Sequence, residues 1–208
     1  MTTSRASPPT RRFLLASAAL AGIGWIGAAP RLARAAIASP DEILIARARS
    51  ELERLGPAIP NHDLVAIADY ALPSSVPRFH LLDMREGRVL ESLLVAHGRG
   101  SDPQHIGRVQ RFSNEPGSNA SSEGAYRTGE RYLGKHGRSI RLAGLDGSNS
   151  NAEPRAIVIH SAWYVGPTIL QTHGKLGRSE GCFVFSDADH EFVLDRLGPD
   201  RLLLSGMF

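Results

Sequence analysis

The chain has 208 residues, with 24 Lys and Arg against 21 Asp and Glu, and one cysteine. A single cysteine excludes an internal disulfide and the paired-thiol zinc motifs. The formal charge of +3 is set by the first 35 residues, which hold Arg5, Arg11, Arg12, Arg31 and Arg34 and no acid; the remainder carries −2, so the compositional case for nucleic-acid binding disappears.

In chain order, Arg11-Arg12 precede a moderately apolar run over residues 13–29, and Ala33-Arg34-Ala35 offers a small-residue cleavage pattern. That order of charged, apolar and small segments predicts an export signal over residues 1–35, and "TRRFLL" resembles the twin-arginine (Tat) type. The run is shorter than the roughly 20 residues of a spanning helix. The expectation is therefore removal, with no permanent membrane anchor, and a mature protein in the periplasm or otherwise outside the cytoplasmic membrane.

Residues 36–60 read as a helix and linker. In "SPDEILIARARSELERLG", Ser39 suits the N-cap, Pro40 the first turn and Glu42 a capping box. Leu44, Ala48, Leu52 and Leu55 share a face, and Gly56-Pro57 stops the helix. "HDLVAIADYA" is too short to separate helix from strand and is read as a helical turn or two.

The domain expected over residues 61–208 is mainly β. "RFHLLDM" and "RVLESLLVAHG" form a hairpin pattern around "REG". Residues 98–124 are rich in Gly, Ser and Asn and predict a long loop, a frequent location for function. Strands follow at "AYRTGERYLG", "SIRLAGL", "RAIVIHSAWYV" and "GCFVF". A helix at "DADHEFVLDRLG" turns Phe192, Val193 and Leu197 inward, and "DRLLLSGMF" closes the domain as a strand.

Cys182 has three readings on the residues alone. It is a small buried side chain, a zinc ligand with His160, His173 and either His190 or Asp187, or a nucleophile activated by His160, 22 residues earlier at a strand end. In the last reading the Gly181 and Cys182 amides face a developing oxyanion and Ser179 adds a hydroxyl. The zinc set lacks any tight ligand pair.

"RAIVIHSAWYV" followed by "GRSEGCFVF" resembles the signature of the YkuD-type cysteine L,D-transpeptidases, and the upstream segment from "FSNEPGSNASSEG" is similar to the branch described as murein L,D-transpeptidase catalytic domain-like. The resemblance covers roughly residues 79–208. It implies a YkuD-like β-sandwich or curved sheet with a few short helices, no metal and no organic cofactor. It further implies Cys182 as nucleophile, His160 as base, the Ser161 carbonyl as its orienting partner, and Gly181 and Cys182 amides as the oxyanion hole. The implied partner is the peptidoglycan stem peptide; the implied reaction is acyl transfer from a diaminopimelate–D-Ala bond to an amine through a thioester, giving a 3-3 cross-link. Alternatives are an L,D-carboxypeptidase and a catalytically silent wall-binding module.

Two positions depart from the family pattern: Glu180 stands where His is usual and Val184 where Arg or Asn is. Glu180 is expected to face away, with Arg178 supplying positive charge. Candidate substrate contacts are Arg178, Ser179, Ser118, Ser121, Ser122, Tyr126 and Trp163, with Arg127 or Arg131 for acidic groups. Asn114 and Asn149 are read as turn holders. His62, His80, His97, His105 and His136 show no pairing pattern and are read as structural or surface residues. The sequence leaves oligomeric state open.

Overall fold

A computed structural model describes residues 38–208. The export-signal reading of residues 1–35 lies outside the described residues. Helix α1 (Pro40–Leu55) begins at the capping box: Glu42 N–H donates to Ser39 Oγ at 3.2 Å and Ser39 N–H donates to the Glu42 carboxylate at 2.6 Å. Its face of Leu44, Ile45, Ala48 and Leu52 joins one hydrophobic cluster with Val65, Ile67, Leu82, Leu202 and Leu204.

Eight strands form one sheet: β1 (Leu64–Asp69), β2 (Phe79–Asp83), β3 (Arg88–Leu93), β4 (Gly124–Gly134), β5 (Gly137–Gly144), β6 (Val158–Ser161), β7 (Phe183–Phe185) and β8 (Leu202–Gly206). Their order is β3-β2-β1-β8-β4-β5-β6-β7, with β1·β8 and β6·β7 parallel. Just past β3, the Ala96 N–H donates to the Val184 carbonyl on β7 at 2.9 Å, so the two sheet edges meet. Phe79 of β2 packs edge-on to Phe185 of β7, 4.8 Å between centroids, across the inside of this curl.

The helical reading of "HDLVAIADYA" is overturned. All six residues of β1 are buried because β2 and β8 flank it and both faces are covered. A strand covered on both faces loses the apolar–polar alternation that would identify it. The last strand, β8, is inserted mid-sheet between β1 and β4. Two more α-helices occur among the described residues. In α3 (Asp187–Arg196) Val193 and Leu194 are buried and Phe192 is half-buried. The short α2 (Pro167–His173) buries no side chain and was not anticipated. No helix among the described residues is long and apolar enough to cross a membrane.

Candidate active site

The parallel β6·β7 pair positions the chemistry. Its register sets Ile159 opposite Phe183 and His160 opposite Val184. Side chains alternate along a strand, so Val158, His160, Cys182 and Val184 lie on one face. His160 and Cys182 line the same pocket of about 300 Å³. A larger groove of about 540 Å³, bordered by Pro77, Leu93 and Phe192, has no Cys or His in its lining.

The His160 Nδ1 donates to the Ser161 carbonyl at 2.9 Å. A carbonyl only accepts, so Nδ1 carries the proton and Nε2 is the basic nitrogen. Burial pushes the His160 pKa down to about 4; the Ser161 carbonyl opposes this, while His136, His190 and Lys135 add to it. Burial likewise pushes the Cys182 thiol up, with Glu180 acting in the same direction and the Val158 amide, Lys135 and Arg155 against it. At neutral pH the resting pair is therefore thiol and neutral imidazole, and the thiol donates weakly to the Ala156 carbonyl at 3.6 Å. A neutral imidazole with a free Nε2, in one pocket with a thiol, is the arrangement that general-base activation of a sulfur nucleophile needs.

The turn ahead of Cys182 is built tightly. Ser179 Oγ donates to the Cys182 carbonyl at 2.7 Å and accepts from the Gly181 amide at 3.1 Å. The Gly181 amide is thus engaged by Ser179, and its use in an oxyanion hole requires that hydroxyl to let go. Gly181 has φ +119°, and a Cβ there would stand 2.7 Å from both the Ala120 carbonyl oxygen and Ile157 Cδ1. Gly181→Ala is expected to cost at least about 2 kcal/mol from the backbone conformation and the overlap together, read as a lower melting temperature with loss of Cys182 reactivity.

The family model for the L,D-transpeptidase catalytic domain matches residues 42–205. The chain belongs to the L,D-transpeptidase catalytic-domain family. Among solved structures it is similar to an L,D-transpeptidase from Mycobacterium smegmatis, at 13% identity over 69% of this chain and 58% of that one, with a TM-score of 0.42. It is also similar to the enzyme from Xylanimonas cellulosilytica, at 17% over 69% and 60% with 0.41. A third is L,D-transpeptidase 3 of Mycobacterium tuberculosis, carrying a faropenem-derived adduct, at 14% over 69% and 60% with 0.42. The chain spans about three-fifths of the length of these structures. No curated protein matches it.

In this L,D-transpeptidase domain the long loop behaves differently from its sequence reading. Tyr126 is wholly buried and its hydroxyl donates to the Ser122 carbonyl at 3.0 Å. The Ser121 hydroxyl accepts from the Gly98 amide, the Ser122 hydroxyl donates to the Ser113 carbonyl, and Ser118 Oγ accepts from the Ala120 amide. None of the four lines the Cys182 pocket. A long folded-in loop must satisfy its own backbone groups, and short hydroxyls do this best. Asn114 and Asn149 hold turns, by bonds to Gly147, Asn151, Asp146 and Ala125. Trp163 is 83% exposed and, with His105 and His173, borders a separate hollow. Its neighbour Tyr164 borders both that hollow and the Cys182 pocket. His173 does not line the Cys182 pocket, and no group of three metal-ligating side chains occurs among the described residues.

Glu180 lies at the rim, its carboxylate 2.9 Å from the Arg99 guanidinium. Arg178 donates to the Asp102 carbonyl, and the cations acting on the thiol are Lys135 and Arg155. Val184 is core in β7. Arg127 is near Asp200, away from this pocket. Sequence reasoning missed Arg99, Tyr132, Lys135 and Arg155 at the pocket and gave no place there to His136, while His97 is structural as read. His136 stacks on His160, and His97 anchors the Cys182 turn.

The His97 carbonyl accepts from the Ser179 amide at 2.8 Å. Burial, with Arg78 beside it, pushes the His97 pKa down to about 4 against the pull of Asp102. The neutral ring accepts from the Arg78 guanidinium at Nδ1, 2.7 Å, and donates from Nε2 to the Asp102 carboxylate, 3.3 Å. His97 and His160 are thus neutral when folded at pH values where the unfolded chain protonates them. Below about pH 6.5 the unfolded state binds more protons, so stability falls as pH drops toward 4. Thermal melts across that window are expected to show a falling melting temperature; a flat profile would contradict neutral burial of both rings.

Proposed function

We propose that this domain is an exported cysteine acyltransferase that remodels peptidoglycan. The observation that carries the reading is a base held in one tautomer by the Ser161 carbonyl, sharing a pocket with the chain's single thiol, in a chain of this family. The pocket also has four cationic side chains, Arg99, Lys135, Arg155 and Arg178, against the one carboxylate of Glu180. That balance suits a peptide bearing free carboxylates, such as a stem tetrapeptide.

Cys182 Sγ attacks the diaminopimelate carbonyl at its bond to the terminal D-Ala while His160 Nε2 takes the thiol proton. Collapse of the tetrahedral intermediate breaks the C–N bond, the imidazolium protonates the departing D-Ala amine, and a thioester remains. An amine from a second stem then attacks, passes a proton to His160, and the sulfur leaves to regain it. The charge on the attacked oxygen falls to the Cys182 amide, joined by Gly181 once Ser179 releases it. Residues 1–35 support delivery to the wall by the twin-arginine route, where the substrate is found.

Incubation with purified disaccharide-tetrapeptides, with products weighed, tests the reading. Cysteine-dependent dimers lacking one D-Ala establish a transpeptidase. Tripeptides alone establish a carboxypeptidase, in which water resolves the thioester. No product from either parent or Cys182→Ala protein would favour a silent wall-binding module.

Lys135 follows as a carboxylate contact. It lines this pocket from the hairpin turn and, unlike Arg99, is in no ion pair among the described residues. Lys135→Ala is expected to raise KM about fivefold with a smaller change in kcat, and Lys135→Arg to restore it. A steady-state series at low and high salt checks this.

A further inference from the structure

We propose that His136, at the tip of the β4–β5 hairpin, is a positioning residue for His160, holding the imidazole in the plane from which it exchanges a proton with Cys182. The inference rests on the acyl-transfer reading above.

The hairpin is arranged to deliver it. Strands β4 and β5 end at the Gly134–Gly137 pair, leaving Lys135 and His136 as a two-residue turn. Gly137, at φ +79°, is the left-handed residue that follows a type I turn in a hairpin. Strand β5 pairs antiparallel with β6, Ile140 opposite Ile159 and Arg141 opposite Val158. Ser139 is therefore level with His160, and the turn continues beyond it. There the His136 ring lies on the His160 ring with centroids 4.2 Å apart and planes 14° from parallel.

The contact fills a gap in how His160 is held. Its hydrogen bond to Ser161 fixes one ring nitrogen but allows rocking about that bond. A flat ring against its face removes the rocking. Partial desolvation against His160, with Lys135 adding and Glu180 opposing, lowers the His136 pKa from its ordinary value, so the covering ring is mostly neutral at pH 7. The other titratable or charged groups around His160 are Lys135 on the same turn, His190 on α3, and Cys182 and Glu180 ahead of β7. Tyr132, Tyr164, Arg99, Arg155 and Arg178 border the pocket.

The test is the iodoacetamide alkylation rate of Cys182 in the full chain across the neutral pH range, for the parent, His136→Ala and His136→Phe. The rate follows the thiolate that His160 helps to form and does not require the natural substrate. His136→Ala is expected to react about tenfold more slowly at pH 7, with its profile displaced upward by about one pH unit. His136→Phe keeps the flat wall and is expected to remain within about threefold of the parent. Because His136 is exposed, melting temperatures should hardly change. A His136→Ala rate equal to the parent's overturns the proposal, as does a His136→Phe rate as slow as alanine's, which would assign the role to the ring nitrogens. A parent whose Cys182 reacts only after denaturation overturns the nucleophile reading itself, and the positioning role with it.

Discussion

Cys182→Ala is expected to reduce acyl transfer by at least about 10⁴-fold while leaving the fold nearly as stable as the parent. In the proposed mechanism the sulfur forms the covalent bond, and no other thiol exists in the chain to replace it. The structural loss is small: Cys182 belongs to a cluster with Ala96, Val158, Val165, Leu176 and Val184, and its thiol makes one weak hydrogen bond. Removing one sulfur from such a site costs on the order of 1 kcal/mol, a few degrees in melting temperature for a domain of this size. Activity assays and thermal melts on the same samples check both halves. Retained turnover with a large stability loss would instead describe a structural thiol.

Arg78→Ala is expected to have the opposite profile, unfolding the domain more readily by about 3–5 kcal/mol and lowering its melting temperature on the order of 10 °C. Arg78 is wholly buried. Its guanidinium donates to the Val95 carbonyl through Nε and Nη2, to the Leu72 carbonyl through Nη1, and to His97 Nδ1. It also lies over the Tyr70 ring at 4.9 Å. Burial pushes its pKa down to about 10, which keeps it charged at neutral pH. Truncation orphans two carbonyls and leaves a void the size of the side chain. Lysine cannot replace the planar fork, so Arg78→Lys should recover little. The site should suffer as well, because Arg78 sets the His97 tautomer and His97 holds Ser179, whose hydroxyl shapes the turn before Cys182. Denaturant titrations with alkylation rates would reveal both effects.

Signals carried by neighbours in the chain were legible in the sequence. The capping box of α1 needs only Ser39 and Glu42, three residues apart, and the β2·β3 hairpin needs only its turn. The strand bearing His160 and the Gly-Cys pair before β7 were readable for the same reason. Signals that depend on sheet order were not. Strand β1 was illegible because both its faces are covered, Val65 and Ile67 by the cluster that includes α1 and Ala66 and Ala68 by the main core. His136 stands 24 residues before His160 and reaches it through the β5·β6 register, which no local pattern encodes. The serines of the long loop misled for a different reason: their composition suits substrate binding and backbone satisfaction equally, and burial decides for the second. Arg78, His97 and Asp102 are separated by loops and strands, and their network appears only when the sheet edges meet.

The acyl-enzyme itself is the object to measure. The protein would be mixed with disaccharide-tetrapeptide, quenched in acid within seconds, and its intact mass and proteolytic fragments weighed. The mechanism proposed here requires one adduct equal to the donor acyl group after loss of D-Ala, confined to the fragment containing Cys182, released by hydroxylamine and missing from Cys182→Ala. An adduct on another residue, or product formation by Cys182→Ala at the parent's rate, would contradict it.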